Sequence, residues 1–468
     1  MKKQDVAIKI ANHLAAITYE DLPKDIVDIA KKSILDTIGV MVGASGVAKS
    51  CQKVVAMIRE DGGKRESSIL GFGDKVPAMM AAFANGSMTK TLDYDDVVGE
   101  AFVHPTAVTL PAALAIAEKA GKVSGKEFIT AMVLGMDLII RLGLSVTKSS
   151  RGFKYDWHPT PLFGTFSSTA AAGKLLQLDA EAMSDALGIA FLQAAGSLQM
   201  VYSEGADIGV LANAFPGKAG VISAMMAKRG ITGIKDCFES KAGFFNNYFQ
   251  GGYDPSYLIE GLGKEYTLSM IGYKPWPTCR RAHTYIDAAL QLVHTYHIDA
   301  ADVAAVKIFY GDDFSKSLCE PLEQRRRPQT SFFANTSLPF AVAVAIAKKR
   351  AIVADFQPEF LQEQLVLEVA NKVIPEYDVK LDENLSGGIP AGRVDILMRE
   401  GQTYSTRVDV PYGHYNNPVT TEALIEKFRD CVSYSIKPIS QSSIDKGIDL
   451  ILNLEKLKDI QEMIRCFV

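Results

Sequence analysis

The sequence predicts a mainly helical protein with a smaller α+β part inserted toward its C-terminal side. Three observations support this. Apolar residues recur at helical spacing through the first 250 residues, where strand signals are scarce. Strand-like runs appear only from residue 303 onward, and the last 50 residues read as helical again. The 468 residues are enough for more than one hydrophobic core. The expected division is a helical domain over 1–265, an α+β domain over 266–405, and a helical return over 406–468 that packs on the first part.

The opening MKKQDVAIKIANHLAAITYEDLP carries lysines, but Lys9, Asn12 and His13 interrupt its apolar run. It reads as an amphipathic helix rather than a secretory leader. Ile26, Ile29, Ile34, Thr37 and Met41 mark a second helix, expected to close at Gly43. Alanine, glycine and methionine are dense over 78–90, 106–118 and 168–200, the composition of buried helices in close approach. The turn formers of GGYDPSYLIEGLG, 251–263, mark a change of character. A helix is expected over 284–296, through Tyr285, Ala288, Ala289 and Leu292, then a strand over 303–311 and a helix over 331–347. The runs RVDILM and YSTRVDV flank Glu400-Gly401 and predict a hairpin with a two-residue turn. Asn417-Pro418 enforces extended backbone. Thr420 or Thr421 then caps a helix beginning near Glu422.

Composition excludes several functions. Apolar residues make up 48%, charged residues 22%, and the formal net charge is −4. No basic stripe suits nucleic acid or an anionic membrane surface; the nearest run is Arg325, Arg326 and Arg327, in RRRPQT, an anion contact or a plain surface feature. No window of 18 residues is free of polar groups, so no membrane span is expected. The six cysteines are scattered without a CxxC pair, as in a reducing, cytoplasmic compartment. The seven histidines form no HExxH, so no metal site is expected. GSLQMVYSEGADIGVLANAFPGKAG is glycine-rich but has no phosphate-loop spacing, which leaves close packing or a substrate-facing turn as its role.

Three segments carry candidate chemistry. TLDYDDVVGEAFVHPTAV, 91–108, sets Asp93, Asp95 and Asp96 close together, with His104 before Pro105. Carboxylates this close repel one another, and burial makes that costly. They can orient a histidine or hold a substrate hydroxyl, and a solvated acidic turn is the plain alternative. KYDWHPTPLFGTF, 154–166, repeats the His-Pro pair at His158-Pro159. Imidazole carries protons near neutral pH, so two such corners facing one pocket suit acid–base work, and a core histidine is the alternative. GYKPWPTCRRAH, 272–283, gathers Lys274, Cys279, Arg280, Arg281 and His283. Arginine and lysine suit an anionic substrate, and salt bridges at a basic turn are the alternative. Cys279 among these cations is a candidate thiolate, but no base stands beside it in sequence. Asp207 and Lys218 are weaker candidates for a pocket wall.

Taken in order, SILDTIGVMVGA (33–44), LDYDD…HPTAVTLPAALA, WHPTPLFGTF, YKPWPTCRRAH and GHYNNPVTTEALIEKF resemble the MmgE/PrpD family over nearly the whole chain. The resemblance implies a large all-helical domain built from both chain ends, a smaller α+β lid domain, a homodimer, and no metal or organic cofactor. It also implies a small polycarboxylate substrate and lyase or isomerase chemistry. The family's activities include cis-aconitate decarboxylation, 2-methylcitrate dehydration and iminodisuccinate epimerisation. Asp93, His104, His158 and Lys274 match the pocket residues of the decarboxylase branch, and Cys279 stands where that branch has a further histidine. Asp96, Arg280, Arg281, Cys279 and His283 are the expected substrate contacts. Many members carry a basic pair, then Leu and His, shortly before a glycine; aligned on Gly217, the pair becomes Ala212 and Asn213, and the histidine becomes Phe215. The expectation is decarboxylation or double-bond isomerisation of a tricarboxylate such as cis-aconitate, with histidines moving the proton. Dehydration, epimerisation and a non-catalytic scaffold are the alternatives.

Overall fold

The structure is a computed structural model, and it describes residues 5–149, 156–202, 206–381 and 389–468. Lys154 and Tyr155 of the second histidine segment, and residues 203–205 of the glycine-rich one, lie outside the described residues. The fold is mainly helical, with a small two-stranded sheet and one four-stranded sheet. Its contacts divide the chain into two compact units. The larger takes Met1–Thr91, Asp95–Ile271 and Leu424–Val468; the smaller takes Leu92–Tyr94 and Gly272–Ala423.

In the larger unit, the opening helix Val6–Ala16 begins where the Asp5 carboxylate accepts from the Ala7 N–H. The next helix, Lys24–Val47, runs four residues beyond Gly43, which corrects the expected stop. Gly43 serves close packing instead: a Cβ there would stand 2.6 Å from the Cys431 carbonyl oxygen, at the Thr421–Ser433 helix. The short strands β1 (Ser67–Ser68) and β2 (Lys75–Val76) pair antiparallel. The core of the unit is built by the helices Ala78–Met88, Pro105–Ala120, Gly125–Thr147, Pro159–Leu175 and Ala214–Ala227. Their small residues allow hydroxyls to bond between helices. Ser168 Oγ donates to the Val108 carbonyl at 2.7 Å, and Thr109 shares a hydrogen bond with Ser167.

By length and composition, Gly125–Thr147 and Ile208–Ala227 are each long and apolar enough to cross a membrane, as is the sharply bent pair Lys24–Val47 and Lys49–Asp61 if taken as one span. That differs from the sequence expectation, which required a window free of polar groups. The apolar window of Gly125–Thr147 is 100% buried within the protein. This helix also holds the buried Asp137–Arg141 ion pair, at 2.6 Å. Arg141 donates onward to the carbonyls of Tyr257, Glu260 and Glu265.

In the smaller unit, β3 (Val303–Tyr310), β4 (Val373–Tyr377), β5 (Gly392–Met398) and β6 (Thr403–Val408) form a sheet of order β4-β3-β5-β6. The β3–β4 pair is parallel and the other two are antiparallel. Val306, Ile308, Val394, Ile396 and Val408 turn inward onto the helices His283–Thr295 and Leu338–Lys348. The alternate residues Lys307 and Glu376 face outward and pair at 2.8 Å. The expected hairpin is β5–β6, but its connection has four residues, with the Gly401 N–H closing onto the Met398 carbonyl at 2.9 Å. The helix expected over 331–347 divides into Ser331–Asn335 and Leu338–Lys348. Pro339 cannot donate into a continuing helix, and Ser337 caps a new one by accepting from the Phe340 N–H.

Candidate functional site

Both candidate histidines of the larger unit sit immediately before a helix. His104 precedes Pro105–Ala120 and His158 precedes Pro159–Leu175. Proline at the first helical position fixes φ and loses only an N–H that has no helical partner there, so each corner is preset. The two corners are tied together: the His104 N–H donates to Thr160 Oγ1 at 3.1 Å. The His158 N–H donates to the Gly196 carbonyl at 2.8 Å, which holds the second corner from behind.

His104 Nδ1 lies 2.7 Å from the Asp96 carbonyl oxygen and 3.0 Å from Asp95 Oδ2. Asp95 and Asp96 are both fully buried. The Asp96 carboxyl accepts from the Thr106 hydroxyl at 2.6 Å and from the Thr106 N–H at 3.1 Å. Burial, chiefly, pushes it up to about 7; nearby Asp36 adds to the rise, while Thr106 and His104 oppose it. Asp36 is itself buried and paired with Lys427 at 2.6 Å. Asp96, expected to contact substrate, is thus engaged with the first turn of the Pro105 helix. His158 is half-buried, and its Nδ1 makes no hydrogen bond to a described residue. Burial holds this imidazole well below its usual range, with Lys90 and His104 adding to the fall and Asp95 opposing it. It is therefore neutral at neutral pH.

The departures from the family pattern also lie in this unit. Ala212 and Asn213 are buried, and Asn213 Nδ2 donates to Thr89 Oγ1 at 3.2 Å. Phe215 meets the Phe83 ring edge-on at 5.3 Å, and Lys218 Nζ lies 5.3 Å from the same ring. Asp207 makes an exposed pair with Lys53 at 3.6 Å.

The smaller unit holds Lys274 with Asp93. Lys274 is 1% exposed, and its Nζ lies 2.5 Å from Asp93 Oδ1 and 3.1 Å from the Asp93 carbonyl oxygen. Asp93 has φ +48°, in the left-handed region. Its neighbours dock in the same unit: Tyr94 donates to the Pro275 carbonyl at 2.8 Å, and Asn335 Nδ2 donates to the Leu92 carbonyl at 3.3 Å.

The rest of the basic cluster is largely occupied. Burial first, and the Asp93 charge next, push the Cys279 thiol up, against the opposing pull of Lys274 and Arg281, so it stays protonated rather than becoming a thiolate nucleophile. Arg281 binds Asp312 at 2.8 Å and lies 4.9 Å from the Phe314 ring. His283 is fully buried. An Arg280 N–H donates to its Nδ1 at 3.3 Å, and its Nε2 donates to the Thr278 carbonyl at 3.3 Å. Arginine only donates and a carbonyl only accepts, so His283 is a neutral structural residue. Arg325 and Arg326 donate to main-chain carbonyls of their own unit, including those of Ser317 and Val373.

Thr106 and Thr160 were not singled out in the sequence, and Asp95 stood there only as one of three clustered aspartates. The signal for the threonines was present: each histidine opens the same His-Pro-Thr triplet. Among the three aspartates, no sequence pattern says which turns toward His104.

Two family models match the chain: the MmgE/PrpD N-terminal domain over residues 8–256 and the MmgE/PrpD C-terminal domain over residues 276–453. Cis-aconitate decarboxylase of Aspergillus terreus is 27% identical over 99% of this chain and 96% of its own length. The cis-aconitate decarboxylase-like protein oryM of Aspergillus oryzae is 28% identical over 98% of this chain and 96% of its own. Human cis-aconitate decarboxylase is 26% identical over 98% and 94%. With both domain models matched in order across nearly its full length, the chain belongs to the MmgE/PrpD family.

Proposed function

We propose that this protein is a cofactor-independent lyase for a small polycarboxylate, with decarboxylation of cis-aconitate as the favoured reaction. One observation carries the proposal: two imidazoles, one of them kept neutral by burial, stand at adjoining helix N-termini linked through Thr160. General acid–base chemistry needs such groups, and the positive ends of two helices favour an anionic ligand. The names of the relatives point the same way.

In the favoured reaction the C–C bond to one carboxylate breaks and carbon dioxide leaves. The electron pair spreads over the allylic system, and an imidazole that has first taken up a solvent proton delivers it to carbon to give itaconate. His104 and His158 are the proton carriers in this reading. Within the smaller unit, we propose Asp93, Lys274 and Arg280 as residues required for activity. The same groups serve double-bond isomerisation if a proton leaves one carbon and returns at another. We further propose a homodimer in the cytoplasm; six free cysteines, five of them buried, support a reducing compartment.

Proton NMR of the protein with cis-aconitate in deuterated water tests the reaction. Itaconate marks decarboxylation, trans-aconitate marks isomerisation, and a hydrated acid marks dehydratase chemistry run in reverse. No turnover of cis-aconitate, 2-methylcitrate or iminodisuccinate overturns the proposal in favour of a non-catalytic scaffold.

A further inference from the structure

We infer that Asp95 is a positioning residue which, with the Asp96 carbonyl, holds His104 as its Nδ1–H tautomer and leaves Nε2 as the atom that exchanges the proton. The role of His104 rests on the function proposed above; the tautomer does not. Two oxygens lie within 3.0 Å of Nδ1, the Asp96 carbonyl at 2.7 Å and Asp95 Oδ2 at 3.0 Å. A carbonyl oxygen only accepts, so a contact of 2.7 Å requires the hydrogen on Nδ1. A neutral imidazole carries one N–H, and Nε2 then keeps the lone pair.

The surrounding bonds keep this arrangement from relaxing. The Asp96 carbonyl cannot swing away easily, because the carboxyl of the same residue is fastened to the Thr106 N–H and hydroxyl. The His104 main chain is fastened to Thr160. Asp95 has no exposed surface, so its carboxylate cannot turn out to solvent and stays beside the ring. Removing that charge while keeping the shape puts a donor where an acceptor stood. In Asp95→Asn the amide NH2 can face Nδ1 and compete there with the Asp96 carbonyl, which raises the Nε2–H form and removes Nε2 as the proton-exchanging atom.

Histidine-selective 15N labelling of the whole protein reads the tautomer directly, with His104→Gln identifying the resonances. The expected wild-type spectrum shows the hydrogen on Nδ1 of His104 and a bare Nε2. In Asp95→Asn the Nε2–H form should rise. With the substrate found by the screen above, kcat should fall at least about 100-fold while KM stays within about 3-fold. A wild-type His104 bearing its hydrogen on Nε2 overturns the inference, and it does so even if the variant fails to fold. Wild-type kcat in a folded Asp95→Asn overturns it as well. The spectrum needs no substrate, so an Nδ1–H resonance in a protein that turns over no polycarboxylate upholds the tautomer and refutes the proposed function instead.

Discussion

Asp93 and Lys274, 181 positions apart in sequence, form an ion pair in which the lysine is 1% exposed and the aspartate holds a left-handed backbone conformation. A buried ammonium is costly unless matched, and a left-handed non-glycine residue adds roughly 1–3 kcal/mol of strain. Aspartate tolerates this conformation better than most residues. We predict that Asp93→Ala lowers stability by roughly 2–4 kcal/mol, because it strands the lysine charge; the value is discounted for the 23% exposure of the Asp93 side chain. Pairing it with Lys274→Met should recover much of that loss. Chemical denaturation of the single and double variants checks this, and simple additivity would contradict it.

Gly413 supports the same lysine. Its carbonyl accepts from the Tyr273 N–H at 2.9 Å, and its φ is +89°. A Cβ there would stand 2.8 Å from Pro275 Cδ, in the residue that follows Lys274. Gly413→Ala should cost more than about 1 kcal/mol of stability and reduce activity at least tenfold by shifting the 273–275 turn. Thermal unfolding and steady-state kinetics are the checks; a neutral substitution would show that this turn does not position Lys274.

The folded protein binds the Asp96 proton with a pKa of about 7, against an ordinary 3.8. Between those values the folded state holds a proton that the unfolded chain releases, so this group's contribution to stability falls as pH rises from 3.8 to 7 and stays lost above. Asparagine imitates the protonated acid. Asp96→Asn should therefore be increasingly stabilised relative to wild type up to pH 7, by no more than roughly 4 kcal/mol. Melting temperatures measured from pH 4.5 to 8 test it, and a constant difference across that range would refute it.

His13 gives the opposite slope. Burial pushes this imidazole down to about 4; Arg141 and Lys174 assist, and Asp137 opposes. The unfolded chain takes up a proton near 6.5 that the folded protein refuses until about 4, so stability is full above 6.5 and falls as pH drops. Replacing His13 with Gln should flatten that decline by on the order of 1–2 kcal/mol, discounted for the half-buried ring. Unfolding curves at pH 7 and pH 4.5 supply the comparison.

Much of this was legible in the sequence, and the gaps have physical causes. The strand at 303–311, the helix at 284–296 and the helix beginning near Glu422 appear because period and capping residues act locally. Thr420 does cap, accepting from the Ala423 N–H at 3.1 Å. Gly43 misled because a glycine that ends a helix and one that admits a neighbouring backbone look alike until the neighbour is known. The break before Leu338 was marked by Pro339, but the apolar run on both sides masked it. At the site, the histidine corners could be read from repeated His-Pro pairs. The contact of Asp95 with His104 could not, because three aspartates within four residues are equivalent candidates until the fold brings one to the ring.

The central claim is that the two histidine corners move the substrate proton, and deuterium incorporation reads that step most directly. In deuterated water, wild type should place solvent deuterium in the product formed from cis-aconitate. His104→Gln and His158→Gln, shown to be folded and unchanged in oligomeric state, should each slow that incorporation at least about 100-fold. Incorporation at the wild-type rate in both folded variants would contradict the account.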